Sequence, residues 1–316
     1  MTTAIAQDFD AAVAPHRREL VVHCYRMLGS VHEAEDLVQE TMLRAWRARD
    51  RYDEHRASVR TWLYRIATNA CLSALKGSAR RPLPSGLGGA SEDPDTPLVP
   101  SFEVPWLQPF PAAPDDPESR AIGRGTLRLA LVAAMQSLPP RQRAVLVLRD
   151  VLEFSATEVA GQLDTSTAAV NSALQRARAA LGDTAVHEDT VVDDGAAREV
   201  VDRYAAAFEA ADVDALVTLL TEDAVLEMPP VPLWYRGRAD YGRFITRVFA
   251  MRGTGWRMVP TTANGQPALA AYCPGDDGAL HLHTLQVFAV VGDRVAHTVV
   301  FQDPTVFAAF GLPGLR

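Results

Sequence analysis

Residues 155–181, SATEVAGQLDTSTAAVNSALQRARAAL, constrain this chain most. Ser155 is placed to cap a helix, with Glu158 three residues later in capping-box position. Val159 and Leu163 supply that helix's core face, and Thr165 or Ser166 caps a second helix. In the second helix Val170, Leu174, Ala177 and Leu181 recur at four-three-four spacing, which makes one buried stripe. Thr167, Ala168, Asn171, Ser172 and Gln175 are then left free on its other faces. Two short helices joined by a tight turn, the second polar on its outer side, have the layout of a helix-turn-helix, which sets one helix in a DNA major groove. On that reading the five free residues reach base edges, and the flanking Arg176 and Arg178 meet phosphates. A structural helix pair without DNA is the alternative.

Charge bears on that reading. The chain has 316 residues, with 31 Lys and Arg against 39 Asp and Glu, a net charge of −8. That sign is wrong for a simple DNA coater. Arginines nevertheless crowd 44–65 and 141–149, while acidic residues gather in the connecting segments and in 183–227. Such a chain can touch DNA locally and depend on a larger partner for most of its affinity. Lys76 is the only lysine, so the basic surface is arginine, which suits bidentate contacts. Cys24, Cys71 and Cys273 are sparse and far apart, which gives neither a disulfide framework nor a metal spacing; they read as small buried hydrophobes. No metal and no cofactor are expected. The chain shows no apolar run of membrane-spanning length and no secretory start, so no membrane association and a cytoplasmic location are expected.

Helical spacing dominates residues 8–81 and returns over 120–182. Between them, 82–119 is rich in Pro, Gly, Ser and Asp and reads as a flexible linker, apolar only at PWLQPFP, 105–111. PWLQPFP also reads as a local anchor onto a domain surface. An acidic bridge, GDTAVHEDTVVDDG, follows the second helical block. From 197 to 316 two helices give way to alternating β-branched and aromatic residues broken by Gly and Pro, an α+β domain.

Two blocks in the first helical domain are candidates for function. DLVQETMLRAWR, 36–47, is an amphipathic helix with Ala34, Leu37, Val38, Thr41 and Ala45 inward and Asp36, Gln39, Glu40, Arg44 and Arg47 on the other side. It is either a solvated face or a docking face for a helical partner. RTWLYRIATNACLSALK, 60–76, sets Leu63, Ile66, Ala67, Ala70 and Ala74 one way and Arg65, Asn69, Ser73 and Lys76 another. Trp62 and Tyr64 interleave with its arginines, a pattern that suits single-stranded nucleic acid through stacking and backbone charge. The alternative is aromatics in the core and arginines in water.

With these blocks named, residues 8–181 resemble the two domains of bacterial sigma factors of the extracytoplasmic-function type. The likeness rests on DLVQETMLRAWR, RTWLYRIATNACLSAL, and LPPRQRAVLVLRDVLEFSATEVA with its following helix. It implies that Asp36, Gln39, Glu40 and Arg44 bind core RNA polymerase, and that Trp62, Arg65, Asn69 and Ser73 bind the −10 element of promoter DNA. It implies that 120–182 reads the −35 element. There the chain departs from the family pattern, with Asn171 and Ala173 where lysine and arginine are frequent. Residues 197–316 resemble SnoaL-like members of the nuclear-transport-factor-2 (NTF2-like) fold, and FQDPTVFAAFGLP is similar to the end of the sigma subgroup that carries an extra C-terminal domain. The implied fold class is therefore two all-α sigma domains, the second with a helix-turn-helix, joined by a Pro-rich linker, plus a C-terminal α+β domain.

The last domain's fold often encloses a pocket. Tyr204, Met228, Trp234, Tyr272, His283 and Asp303 are candidates to line one that takes a small-molecule ligand. Two-residue alternation puts His281, His283 and Leu285 on one strand face, and His297, Val299, Phe301 and Asp303 on another. A His–Asp pair across strands has catalytic potential, but histidines hydrogen-bonded beside an apolar cavity is the plainer reading, and no catalytic residue is assigned. The whole points to a promoter-specificity subunit that is not an enzyme. Two alternatives stay open: a ligand-responsive DNA-binding regulator, or an enzyme of the cyclase or hydrolase type tethered to a DNA-binding module.

Overall fold

Capping and apolar spacing set the helices of the first half. The computed structural model describes residues 9–77, 80–111, 127–182 and 194–314. The tail of the expected linker (112–119), the start of the second helical block (120–126) and most of the acidic bridge (183–193) lie outside the described residues. Helix α1 is Phe9–Val13 and α2 is Arg17–Leu28, closed by Gly29 in the left-handed region at φ 71°. Ser30 caps α3, Val31–Ala48, and Ser58 caps α4, Val59–Ala74, each through its hydroxyl. After α5, Leu129–Gln136, Pro140 opens α6, Pro140–Leu146, where its missing N–H costs nothing. The chain runs on through a π-turn, Val147–Val151, into α7, Ala156–Gln162, and α8, Thr167–Leu181.

The helices of both blocks belong to one compact unit. Its interior holds Leu20, Cys24, Met27, Val38, Leu63 and Ala67 beside Val132, Val145, Leu148 and Val159. A buried guanidinium ties the two halves. Arg143, 3% exposed, donates from Nη1 to Met27 O and to Gln136 Oε1 (2.6 Å), and from Nη2 to Gln136 O (3.0 Å) and Leu138 O (3.2 Å). Gln136 Nε2 donates in turn to Arg26 O at 3.3 Å. The end of α2 is thus held by residues of α5 and α6. Burial, then the nearby Arg80, lowers the Arg143 pKa to about 10, still charged at neutral pH.

The second unit contains the C-terminal domain and, with it, the stretch from Pro82. Helices α9, Asp194–Glu209, and α10, Val213–Thr218, precede strands β1, Leu220–Glu227, and β2, Trp234–Arg236. Helix α11, Arg238–Arg252, is followed by β3, Arg257–Ala263, β4, Gln266–Pro274, β5, Leu280–Val291, and β6, Arg294–Phe301. Helix α12, Pro304–Ala309, comes last. One six-stranded sheet runs β2-β1-β6-β5-β4-β3, antiparallel except where β1 lies parallel to β6. Irregularities between Ala271 and Tyr272 and between Ala289 and Val290 break its register, and such bulges bend and twist a sheet. The concave interior is filled from α9 and α11 by Val200, Tyr204, Phe208, Tyr241 and Phe244.

The expectation of a free linker over 82–111 is corrected. The stretch is a strap fastened by hydrogen bonds to the sheet domain. Ser85 N donates to Glu227 Oε2 (2.7 Å), Ser91 N to Trp234 O (2.8 Å) and Ser101 N to Pro230 O (2.9 Å). Arg247 of α11 donates to Thr96 O at 2.8 Å and to Pro94 O. At its end Phe110 and Asn264 exchange bonds of 2.8 Å, and Leu107 and Phe110 are buried. PWLQPFP is therefore an anchor. Composition hid this, because a Pro-rich segment that cannot form its own core can still have its backbone groups satisfied by acceptors and donors of a neighbouring fold.

Candidate nucleic-acid faces and ligand cavity

On α3, the buried side is Val31, Ala34, Val38, Thr41 and Ala45; Leu37 is half-buried. Asp36, Gln39 and Arg44 are exposed and Glu40 half-exposed, with Arg44 Nε donating to Glu40 Oε1 at 2.7 Å. Leu43 and Trp46 are also exposed, at 52% and 46%. The guanidinium of Arg49 lies 3.9 Å above the Trp46 ring. The face is an apolar pair beside a mixed-charge row, which sequence reading had described by its charges alone.

On α4, Arg65, Asn69 and Ser73 are exposed one turn apart, and Trp62 is half-buried against Tyr52 with ring centroids at 5.0 Å. Tyr64 does not share their face. It is fully buried, its hydroxyl donates to Glu19 Oε2 at 3.2 Å, and its ring meets His23 and Phe154 edge-on. Period 3.6 places residues 62 and 64 about 200° apart, so they cannot both serve one surface. Ala74, expected inward, is exposed. The Asn69 amide is engaged: Nδ2 donates to Arg65 O (2.8 Å) and to Gln162 O (3.2 Å), at the end of α7. Ser73 Oγ donates to Asn69 O at 2.8 Å.

On α7 and α8, Ser155 and Glu158 form the reciprocal capping box, and Ser166 rather than Thr165 caps α8. The buried stripe of α8 is Val170, Leu174, Ala177 and Leu181. Thr167, Ala168, Asn171 and Gln175 are exposed, and Ser172 is half-buried. Ser172 Oγ accepts from Arg176 at 2.5 Å. Arg178 makes a fork-like pair with Asp150 of the π-turn, at 2.8 and 2.7 Å. That partly exposed pair links α8 to the π-turn that follows α6.

In the sheet domain, a cavity of about 590 Å³ opens between the sheet, α9, α11 and the strap. Tyr204, Met228 and His283 line it; Trp234, Tyr272 and Asp303 are not among its lining residues. Trp234 instead donates from Nε1 to Gly88 O of the strap at 2.9 Å. The Tyr272 hydroxyl donates to Pro313 O at 3.0 Å. Asp303 caps α12, its Oδ1 accepting from Thr305 N at 2.8 Å. The alternation expected in β5 fails at one point: Ala271 faces Thr284 and Tyr272 faces Leu282, leaving His283 as the extra residue of a bulge. His283 therefore turns to the cavity together with Thr284 and Gln286, away from the fully buried Leu285.

Burial, then Arg252, lowers the His283 pKa to about 4, so its ring is neutral at pH 7. Tyr204 and Tyr241 share a hydroxyl bond of 2.9 Å, and Tyr241 continues to Thr298 at 2.9 Å. The cross-strand histidine–carboxylate contact is not a His–Asp pair. His297 Nε2 lies 2.9 Å from Glu227 Oε1, outside the cavity lining. Glu227 is 1% exposed; burial raises its pKa, but His297 and the Ser85 N–H outweigh that and lower it overall. Among the described residues no group of three His, Cys, Asp or Glu could hold a metal ion, and no helix is long and apolar enough to cross a membrane. Sequence reading missed Arg252, Trp256, Gln286 and the strap's Leu98 as cavity residues. Gln286, polar amid the apolar Leu285, Val287 and Phe288, was the available signal.

Three family models match this chain: Sigma-70 region 2 over residues 12–81, Sigma-70 region 4 over 128–181, and a SnoaL-like domain over 201–303. The ECF RNA polymerase sigma factor SigG of Mycobacterium tuberculosis is 50% identical over 314 residues, covering 97% of this chain and 84% of that one. The ECF RNA polymerase sigma factor SigJ of the same organism is 31% identical over 275 residues, covering 83% and 81%. The crystal structure of M. tuberculosis SigJ superposes with a TM-score of 0.66 at 26% identity, across 97% of this chain and 99% of the other.

Proposed function

The chain belongs to the extracytoplasmic-function RNA polymerase sigma factors, and from that premise we propose a division of labour among its faces. It directs promoter-specific initiation and makes no bonds itself; core RNA polymerase does the chemistry. Asp36, Gln39, Glu40 and Arg44 dock on polymerase, with Leu43 and Trp46 giving the apolar part of the contact. Trp62, Arg65, Asn69 and Ser73 hold unpaired −10 bases. Helices α7 and α8 act as a helix-turn-helix on the −35 element. Thr167, Ala168, Asn171, Ser172 and Gln175 face base edges, and Arg176 and Arg178 meet phosphates, Arg178 by exchanging Asp150 for phosphate. The C-terminal domain regulates, and its cavity takes a small-molecule ligand.

The observation that carries this reading is the exposure of Asn171 and Gln175 on a helix whose other stripe is buried, within the unit that matches both sigma regions. Reconstituted transcription with core polymerase tests it. Initiation at a subset of a genomic promoter library should appear only when the protein is added. Equal initiation with and without it would refute the assignment. A regulator that binds DNA without entering polymerase is separated by pull-down, because the sigma factor binds core enzyme before DNA is present. Removal of 197–316 should alter transcript strength or promoter range while core binding persists.

A further inference from the structure

The cavity of the sheet domain carries information about what fills it. Its walls are apolar and aromatic, including Phe208, Phe244, Trp256 and the strap's Leu98. Among its polar groups, which include His283, Thr284, Gln286 and Gln302, the charged ones are of one sign. Arg247 and Arg252 line it, and no aspartate or glutamate does. Arg247 is committed to the strap carbonyls of Pro94 and Thr96. Arg252 is exposed at the end of α11 and makes no hydrogen bond or ion pair among the described residues. Deeper in, Gln286 is 5% exposed, and its Oε1 has no hydrogen-bond partner while Nε2 lies 3.4 Å from Thr284 Oγ1. A buried amide atom left unsatisfied costs roughly 1–3 kcal/mol, a cost that a bound polar group removes.

Resting on the reading of this cavity as a ligand site, we propose that its ligand is an apolar carboxylate that also carries a hydroxyl. The carboxylate pairs with Arg252 at the rim, the body fills the aromatic walls, and the hydroxyl meets the Gln286 amide. A hydroxyl both donates and accepts, so it serves either orientation of that amide. A cationic or uncharged ligand of the same shape leaves Arg252 unpaired and gains less. Leu98 and the flanking prolines Pro97 and Pro100 belong to the strap, so the ligand touches the segment that joins the two sigma regions in sequence. Occupancy then favours the strapped form over any form in which 94–100 has lifted.

Binding to the full-length protein tests the chemistry without transcription. The probes are 8-anilinonaphthalene-1-sulfonate and N-phenyl-1-naphthylamine, which share an apolar body and differ in the anionic group. The sulfonate should bind about tenfold tighter, and Arg252→Gln should remove that advantage while leaving the neutral probe unchanged. Energy transfer from Trp256 should place the probe in the cavity, and Trp256→Phe should reduce it. In competition, 12-hydroxydodecanoate should displace the sulfonate better than dodecanoate, and both better than dodecylamine. Gln286→Leu should abolish the advantage of the hydroxyl alone. Equal affinity for the two probes, or an Arg252→Gln variant that keeps the difference, overturns the anionic assignment. Equal displacement by the two acids overturns the hydroxyl. These outcomes are equilibrium affinities, so their failure leaves the transcription result standing, and failure of transcription leaves them readable.

Discussion

Replacing Arg143 by methionine keeps the side chain's apolar stem and removes its donors. Four acceptors then lose the guanidinium: Met27 O, Gln136 Oε1, Gln136 O and Leu138 O. Stripped buried acceptors cost roughly 1–3 kcal/mol each. Part of this is returned, because the lowering of the Arg143 pKa to about 10, by burial first and by Arg80 second, marks a cost that the neutral side chain escapes. At about 1.4 kcal/mol per unit that recovery is about 3 kcal/mol. Allowing for relaxation, the net loss should be about 3–5 kcal/mol, as for other buried charged groups whose bonding is broken. Arg143→Lys keeps the charge without the fork and should lose roughly half as much. The assay is equilibrium urea unfolding combined with hydrogen exchange resolved by segment. Exchange should accelerate in residues 17–28 and 140–151 and stay unchanged in the sheet domain, a separate unit. A loss under about 1 kcal/mol for Arg143→Met, or uniform acceleration across both units, would refute the idea that this side chain ties the halves together.

Three further outcomes are expected. Asn171→Ala or Gln175→Ala should cost about 1–3 kcal/mol at one contacted base pair and relax preference there, so unchanged selection profiles for both variants would reject the groove-facing assignment. Asn69→Ala should impair promoter opening more than duplex binding, since an unpaired base offers an edge that a duplex hides; permanganate footprinting showing normal melting at normal occupancy would count against it. Acid should weaken the helical unit through His23, which burial, then Arg26 and Arg60, holds at a pKa of about 3. The unfolded chain takes up a proton near pH 6.5 and the folded chain does not, so this contribution is complete above pH 6.5 and is lost as pH falls toward 3. His23→Gln should flatten the slope of the urea midpoint against pH in that window, and an unaltered slope would remove His23 as its source.

Much of the helical architecture was legible because its signals are local. The capping box at Ser155 and Glu158 and the stripe from Val170 to Leu181 each involve residues a few positions apart. The strands Arg257–Ala263, Leu280–Val291 and Arg294–Phe301 are marked by β-branched residues, whereas Gln266–Pro274 carries none. What was hidden is non-local. Arg143 reads as one more surface arginine until the carbonyl of Met27, 116 residues away, is found beside it. The bulge at His283 arises from pairing with β4, and a one-residue slip there reverses which side chains meet the cavity. Trp234, Tyr272 and Asp303 were chosen for residue type, yet each is engaged elsewhere in its own domain. The Asn264–Gly265 pair, with φ of 55° and 68°, was a readable hairpin signal that sequence reading passed over.

The strap also sets how the sigma regions are tethered. Were 82–111 a free coil, the two regions would be joined by a long random chain, and each would see the other at an effective concentration falling steeply with the length of that chain. Fastened at Ser85, Ser91, Ser101 and Phe110, those residues contribute no slack. The sheet domain thereby acts as a spool that stores contour length. Removing it does two things at once, deleting a domain and paying out thirty residues of line between the promoter-binding halves. The two effects separate if the spool is kept and its fastenings are cut, for example at Arg247, so that only the slack changes.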